Sequence, residues 1–410
     1  MISKLQLSGV EAALNISRWS AVVMCFSLAI SRSLFMTATA VLIVSWLFSG
    51  HWSEKLSRLV QRPAAIWMLL LLVWMFVSAL WSRGSPTTIA YAANVQWKLL
   101  IIPLFVMVVD TQLCARRCWN AFGLGIAILL VHILLLQWTP LPWVSSTDPN
   151  SVFFNPLPQS VALALFCAWC VHHGLSKETG RAFRLLIWIG FLVGSYVVFF
   201  LSLQRIGYLS WTIGCGVSLY FAVATRSRWI PLALFVAAAV GLVTASDGAR
   251  ERIQQGFHEV WDYKFQNNYS SIGSRLHMWY VSGQLVWESP VRGHGLGSYP
   301  VLAESVFNDH AMCEQGCKHP HNQYIFYLFE FGMVGLGIFA IAMWKTARRF
   351  YSAGDRNAFP LIVFIVFLVA GLVESTLWYR GFFYLFAPLL GLVMLDPAQA
   401  SGRIGNAETR

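Results

Sequence analysis

Apolar residues run almost unbroken through most of the chain, in blocks separated by short polar turns. A run of about 17 to 25 apolar residues suffices to cross a hydrocarbon core about 30 Å thick. The sequence offers about twelve candidates, placed near residues 18–32, 34–50, 64–81, 97–110, 119–138, 158–174, 185–203, 207–224, 229–246, 321–344, 358–378 and 381–395. The pattern predicts an all-α polytopic membrane protein of about twelve transmembrane helices. Its one sizeable polar interval predicts a large, mostly helical loop between the ninth and tenth. Residues 1–246 would carry helices 1 to 9, 247–320 the loop, 321–395 helices 10 to 12, and 396–410 a tail.

Within the loop, Ile253, Phe257, Val260, Trp261 and Lys264 follow helical spacing, which predicts an amphipathic helix lying on the membrane or over a site. A second helix is expected after it, capped by Ser274 and bearing Arg275 in its first turn, where a cation opposes the helix dipole. Gly293, Gly295 and Gly297 then alternate before Tyr299, with no preceding strand to make them a dinucleotide loop. They read as a tight turn that lets backbone approach another element, with His294 a lesser candidate for chemistry. Residues 200–208 form a tight turn with Arg205 at its tip beside Ser202 and Gln204. The nearest acids in sequence are far away, so a lipid-borne anion would suit Arg205, as would simple snorkelling to the headgroups. Residues 139–156, rich in Pro, Trp, Asp and Asn, read as irregular backbone at the interface, a lid or an ordinary loop.

Composition agrees with the hydropathy: 57% of residues are hydrophobic and 11% charged, too little charge to cover a soluble surface of this size. The net charge of +11 invites a nucleic-acid partner, but its distribution refuses one. With the N-terminus in the cytoplasm, 18 of the 29 Lys and Arg fall on the cytoplasmic side, and most of the rest lie in the long loop. The bias predicts two cytoplasmic termini and an external loop, and the first apolar segment, with no small-residue cleavage pattern and another segment directly after it, reads as no cleaved signal. Six cysteines fall in or beside spans and read as small apolar residues. Cys313 and Cys317, four apart in the loop, could form a disulfide in an oxidising compartment, or join His319 and His321 around zinc.

The densest chemistry lies at Cys317 to Gly335, CKHPHNQYIFYLFEFGMVG, where a polar loop turns into an apolar helix. Pro320 disfavours a helical residue before it, so the helix is expected from about His321, with the imidazole at the bilayer rim and able to take a proton. Glu330 and Glu374 fall inside predicted spans; pairing with an arginine such as Arg380 explains them better than a proton relay. Arg205, Arg275, His319 and His321 together predict a basic cavity at the outer leaflet. Arginines would hold a diphosphate and a neutral histidine would deprotonate a sugar hydroxyl. No Asp-x-Asp sequence is present to clamp a metal.

Three motifs, GSRLHMW at 273–279, GHGLGSY at 293–299 and HPHNQYIFYLFEFGMVGLG at 319–337, resemble the signature of the O-antigen ligase and polymerase superfamily of bacterial inner membranes. The most specific part is His321-Asn322 followed by Gly332-x-x-Gly335. The resemblance is strongest to the ligase branch, and it implies a GT-C-like helical scaffold and inverting transfer without metal or cofactor. It matches His321 to the general base, with His319 the alternative, and Arg275 and Arg205 to the diphosphate-binding arginines. Arg292, His319, Asn322, Tyr299 and His294 are the accompanying candidates for substrate binding. The implied partners are undecaprenyl-pyrophosphate-linked O-antigen, a lipid A-core acceptor and membrane lipids, with no nucleic acid, at the periplasmic face of a Gram-negative inner membrane. Polymerase, protein O-oligosaccharyltransferase and lipid-linked oligosaccharide transporter are the competing functions. A transporter would be expected to show an inverted repeat, and none is seen.

Overall fold

The computed structural model describes residues 2–139, 155–177, 179–223, 229–263, 270–306, 318–353 and 358–395. Cys313, Cys317, Lys264, most of the 139–156 loop and the 396–410 tail lie outside them. All regular structure among the described residues is helical. Among the described residues, five helical segments are long and apolar enough to cross a membrane: Pro63–Trp81, Pro86–Val108, Gln112–Leu136, Arg181–Ser202 and Gln323–Tyr351. The number rises to seven if two bent pairs each count as one span. Their outward faces are oily, as Leu185, Leu186, Leu192, Trp229, Ile230 and Leu234 illustrate, and water would not tolerate such a surface as a monomer's exterior.

The helices in chain order are α1 (Ile2–Ser27), α2 (Arg32–Phe48), α3 (Trp52–Val60), α4 (Pro63–Val77), α5 (Pro86–Gln96), α6 (Ile101–Val108), α7 (Gln112–Leu136), α8 (Pro156–Gly174) and α9 (Arg181–Tyr196). They continue as α10 (Arg205–Ala222), α11 (Trp229–Ala245), α12 (Asp247–Trp261), α13 (Ser271–Val286), α14 (Tyr299–Val306), α15 (Gln323–Ala353), α16 (Ala358–Val373) and α17 (Arg380–Val393). α1 packs on α2 and α7, α8 on α9 and α10, α4 on α15, α10 on α16, and α17 on α6. At one end of the α5–α6 segment Asp110 accepts two bonds from Arg18, at 2.6 and 2.9 Å, with Arg58 3.3 Å away.

α12 leaves α11 at 95°. Ser246 makes that corner: its Oγ accepts from Ala249 N–H at 3.2 Å, capping α12, and donates to the Phe199 carbonyl at 2.7 Å. That carbonyl belongs to residues 197–202, a wide π-turn at the end of α9 that leaves backbone acceptors to be filled. The expected amphipathic helix is therefore present as α12. The second loop helix begins earlier than its sequence suggests. Ser270 rather than Ser274 caps α13, accepting from Gly273 N–H at 3.0 Å, so Arg275 stands a turn inside the helix, where the dipole penalty fades.

The glycine run does what its spacing predicts, and its partner is α15. That helix is broken at Gly332, whose φ of 65° and ψ of −171° are open in practice only to glycine. Residues 290–295 fill the gap. His294 N–H donates to Phe329 O at 3.0 Å, Gly295 N–H to Glu330 O at 2.7 Å, Met333 N–H to Pro290 O at 2.8 Å and Val334 N–H to Val291 O at 3.1 Å. Trp74 Nε1 takes the Phe331 carbonyl at 2.9 Å. Backbone cut loose inside an apolar bundle must find such partners, because bilayer interior offers no water. Glu330, buried at the same level, receives the Tyr299 N–H at 3.2 Å, so it anchors this junction rather than pairing with arginine.

Candidate functional site

Two loops that cross at one end of the bundle build the site: residues 318–322 before α15 and 374–379 after α16. α15 starts at Gln323, two residues later than Pro320 suggested, because Asn322 is its cap. Asn322 Oδ1 accepts from the N–H groups of Tyr324 and Ile325, both at 3.0 Å, and its Nδ2 donates to Leu372 O at 2.9 Å. Gln323 Oε1 accepts the Leu377 N–H at 2.7 Å, and Trp279 Nε1 on α13 holds the Pro320 carbonyl at 2.8 Å. His321 is thereby fixed in the left-handed region, φ 49°. A β-carbon is strained there, and such strain persists only where surrounding bonds over-determine it, as they do here.

The consequence is a dyad that the sequence hid. His321 Nδ1 lies 3.0 Å from Glu374 Oε2, 53 residues away. Glu374 was expected to pair with an arginine such as Arg380. Instead it lies buried against both histidines, with His319 Nδ1 3.5 Å from its Oε1 and the Ser375 N–H donating to Oε1 at 3.0 Å. The H-x-H doublet divides its labour. His319 is buried, and burial, then the neighbouring His321 charge, push its imidazole down to about 3, so it stays neutral at working pH. Its Nδ1 accepts the His321 N–H at 3.3 Å, which positions the backbone. The His321 side chain is the more open of the two, 20% exposed against 8%.

Arg275 is the third member. It is half-buried, its charge reaches Glu374, and no protein group among the described residues hydrogen-bonds or ion-pairs with its guanidinium. Arg205 lies within electrostatic reach of Arg275 but is already engaged. It pairs with Glu259 on α12 at 3.2 and 3.4 Å and donates from Nε to Arg252 O at 2.7 Å. Glu259 in turn accepts the Ile272 N–H at the start of α13, at 2.8 Å. The acid that Arg205 lacked nearby in sequence comes from 54 residues downstream. The charged cluster is thus basic at Arg275 but interleaved with the carboxylates of Glu374 and Glu259, less uniformly cationic than expected.

Beside Arg205 opens a cavity of about 620 Å³ between α10, α11 and α12, walled by Leu209, Val236, Val240, Val243, Phe257 and Val260. The Tyr208 hydroxyl on its wall is buried without a hydrogen-bond partner among the described residues. The remaining predicted residues fall in the glycine-loop junction. His294 is buried, with Nε2 2.8 Å from Leu285 O; Tyr299 is buried against Phe326 and Phe329; Arg292 lies 5.8 Å over the Trp81 ring. The structure brings together Arg205, Arg275, His319 and His321, and gives Asn322, His294 and Tyr299 work inside the protein.

His319, His321 and Glu374 also offer three ligand atoms within 4.8 Å of one another. A divalent cation there would displace the His321–Glu374 bond and face the Arg275 charge, two costs that favour the hydrogen-bonded dyad.

The class the fold and site define is a helical bundle with segments long and apolar enough to cross a membrane, carrying a histidine–carboxylate dyad beside an arginine that has no protein partner among the described residues. Residues 186–340, which contain Arg205, Arg275 and His321, match the family model described as O-antigen ligase. A protein of Rickettsia conorii named "Putative polysaccharide ligase" is 23% identical over 350 residues, 82% of this chain and 80% of its own. One of Rickettsia felis, likewise named, is 22% identical over 385 residues, 86% and 90% of the two chains. The chain is thus similar to the O-antigen ligase family over residues 186–340 and to these two proteins over most of its length, the same superfamily that the motifs resemble.

Proposed function

We propose that this protein is an O-antigen ligase: a glycosyltransferase that moves polysaccharide from undecaprenyl pyrophosphate to the lipid A-core oligosaccharide. In this reading the chain crosses a Gram-negative inner membrane about twelve times on a GT-C-like scaffold, with both loops of the site facing the periplasm. The single observation that carries it is the His321–Glu374 bond at 3.0 Å beside Arg275, a guanidinium without a protein partner among the described residues.

The chemistry follows from the geometry. With Nδ1 committed to Glu374, proton transfer falls to His321 Nε2. It takes the proton of an acceptor hydroxyl as that oxygen attacks the anomeric carbon from the face opposite the diphosphate. The new C–O bond forms as the bond to the phosphate oxygen breaks, which inverts the carbon. Glu374 stabilises the imidazolium and fixes the ring, as a buried carboxylate does for a histidine base elsewhere. Arg275 meets the charge that accumulates on the departing diphosphate, with Arg205 behind it. The apolar cavity beside Arg205 suits the first isoprene units of the donor, the rest lying in lipid. Charge is supplied by arginine, so the step needs no metal.

Glu374→Gln is nearly isosteric but cannot hold a developing imidazolium. We expect kcat to fall about 10²-fold to 10³-fold with acceptor KM little changed, measured as transfer by purified protein. Unchanged kcat would remove Glu374 from the mechanism. The reading itself is tested by a lipopolysaccharide gel from a strain lacking the gene. Bare core, restored to the full ladder by the wild-type gene, is the expected result; core capped by a single repeat would make the protein a polymerase instead.

A further inference from the structure

We propose that Arg32, Lys98 and Arg380 form a second anion site, separate from Arg205 and Arg275, that holds a phosphate of the acceptor lipid. Arg32 begins α2, Arg380 begins α17, and Lys98 sits in the turn at 97–100 that joins α5 to α6. The three converge around Tyr384. Lys98 Nζ stands 5.9 Å from the centre of its ring, Phe35 packs against it at 5.0 Å one turn after Arg32, and Arg380 lies one turn before it on α17. The charges of Arg380 and Arg32 both reach Lys98.

None of the three hydrogen-bonds or ion-pairs with a protein group among the described residues. Lys98 is 7% exposed, so it cannot snorkel to the headgroups, and Arg380 Nε is buried without a partner. Three like charges gathered at the edge of an apolar bundle repel one another and lose hydration, and an arrangement of this kind is stabilised when an anion arrives. Five-donor guanidinium and ammonium groups spaced around an aromatic floor suit the several oxygens of a phosphate better than a lone carboxylate.

Position gives the site its role. Arg380 follows Tyr379, whose ring is 6.0 Å from His319, and its guanidinium lies 5.2 Å over Tyr91. Trp378 packs on both Tyr91 and Phe326, at 5.9 and 4.9 Å. The same short segment therefore carries Glu374 at one end and Arg380 at the other, so a phosphate on the cluster sits one loop away from the base. The charged groups that reach Arg275 are Glu374, Arg205 and Glu259, none of them from this cluster. Two anions can then flank His321: the donor diphosphate on the α10–α13 side and a phosphate of the second lipid on the α2–α17 side. A bulk phospholipid headgroup shares this chemistry, and the assignment to the acceptor rests on the ligase reading.

The test uses full-length protein in neutral detergent, with wild type, Lys98→Gln, Arg380→Gln and the exposed Arg32→Gln, which has no packing to lose. Binding is measured for fluorescent lipid A, its dephosphorylated form and phosphatidylglycerol, alongside KM for donor and acceptor. We expect each substitution at Lys98 or Arg380 to weaken lipid A binding and raise acceptor KM by about 10-fold or more. Arg32→Gln should shift both in the same direction by less, and all three variants should leave the dephosphorylated form and donor KM unchanged. Wild-type lipid A binding in all three variants, a rise in donor KM instead, or phosphatidylglycerol bound and lost in parallel with lipid A would each overturn the proposal. Phosphate-dependent lipid A binding without transfer to any acceptor would leave the site standing and sink the ligase reading.

Discussion

His321→Ala is expected to abolish transfer to the core, leaving only unextended core on a lipopolysaccharide gel, at normal protein abundance. Loss of a general base alone is worth about 10²-fold to 10⁴-fold. This histidine is also the hydrogen-bonded partner of Glu374, so its removal leaves a buried carboxylate with the Ser375 N–H, the neutral His319 ring and the nearby charge of Arg275. A stability defect could then imitate a catalytic one. His321→Asn separates the two effects: the amide donates toward Glu374 from the position of Nδ1, and asparagine tolerates the left-handed backbone better than alanine. Both variants should be inactive, and the asparagine variant should melt close to wild type. Activity within a few-fold of wild type in folded His321→Asn would move the base elsewhere, with His319 the next candidate.

The second large effect is on the fold. A methyl group on Gly332 would stand 2.2 Å from Val291 O and 2.5 Å from Gly293 N, on a backbone at φ 65°. Neither neighbour can give way, because both belong to the loop whose hydrogen bonds complete the broken α15. Gly332→Ala should cost on the order of 4 kcal/mol or more, and the protein should fail to elute as a single species on detergent size exclusion. Gly337→Ala, five residues on in the same helix, meets nothing within 4 Å and should behave as wild type. Equal behaviour of the two variants would mean that the junction between residues 290–295 and α15 is not what holds the site's frame.

These two expectations show how differently the site and its frame are written in the chain. The helical, membrane-compatible character followed from apolar runs alone, because crossing lipid requires continuous apolar length and satisfied backbone, and both are local properties. The role of Gly293, Gly295 and Gly297 was also legible, since alternating glycines outside a nucleotide fold leave close backbone approach as their physical use. The glycine at 332 and the broken helix that receives them were visible only as a spacing.

What the sequence determined by itself is the class of chain, the polar loop turning into α15, and the identity of the arginines and histidines worth testing. Tertiary structure decided who pairs with whom. Glu374 looked like an acid in need of an arginine until the 374–379 loop crossed the 318–322 loop and placed it 3.0 Å from His321. Arg205 looked unpartnered until the 95° turn into α12 delivered Glu259, while Arg275, a turn deeper in α13 than expected, is the guanidinium left facing the dyad. The physical reason is range. Apolar length and turn chemistry act over a few residues and can be read one segment at a time. An ion pair or hydrogen bond is made between groups 53 or 54 positions apart in this site, and only the packing of the bundle brings them within 4 Å.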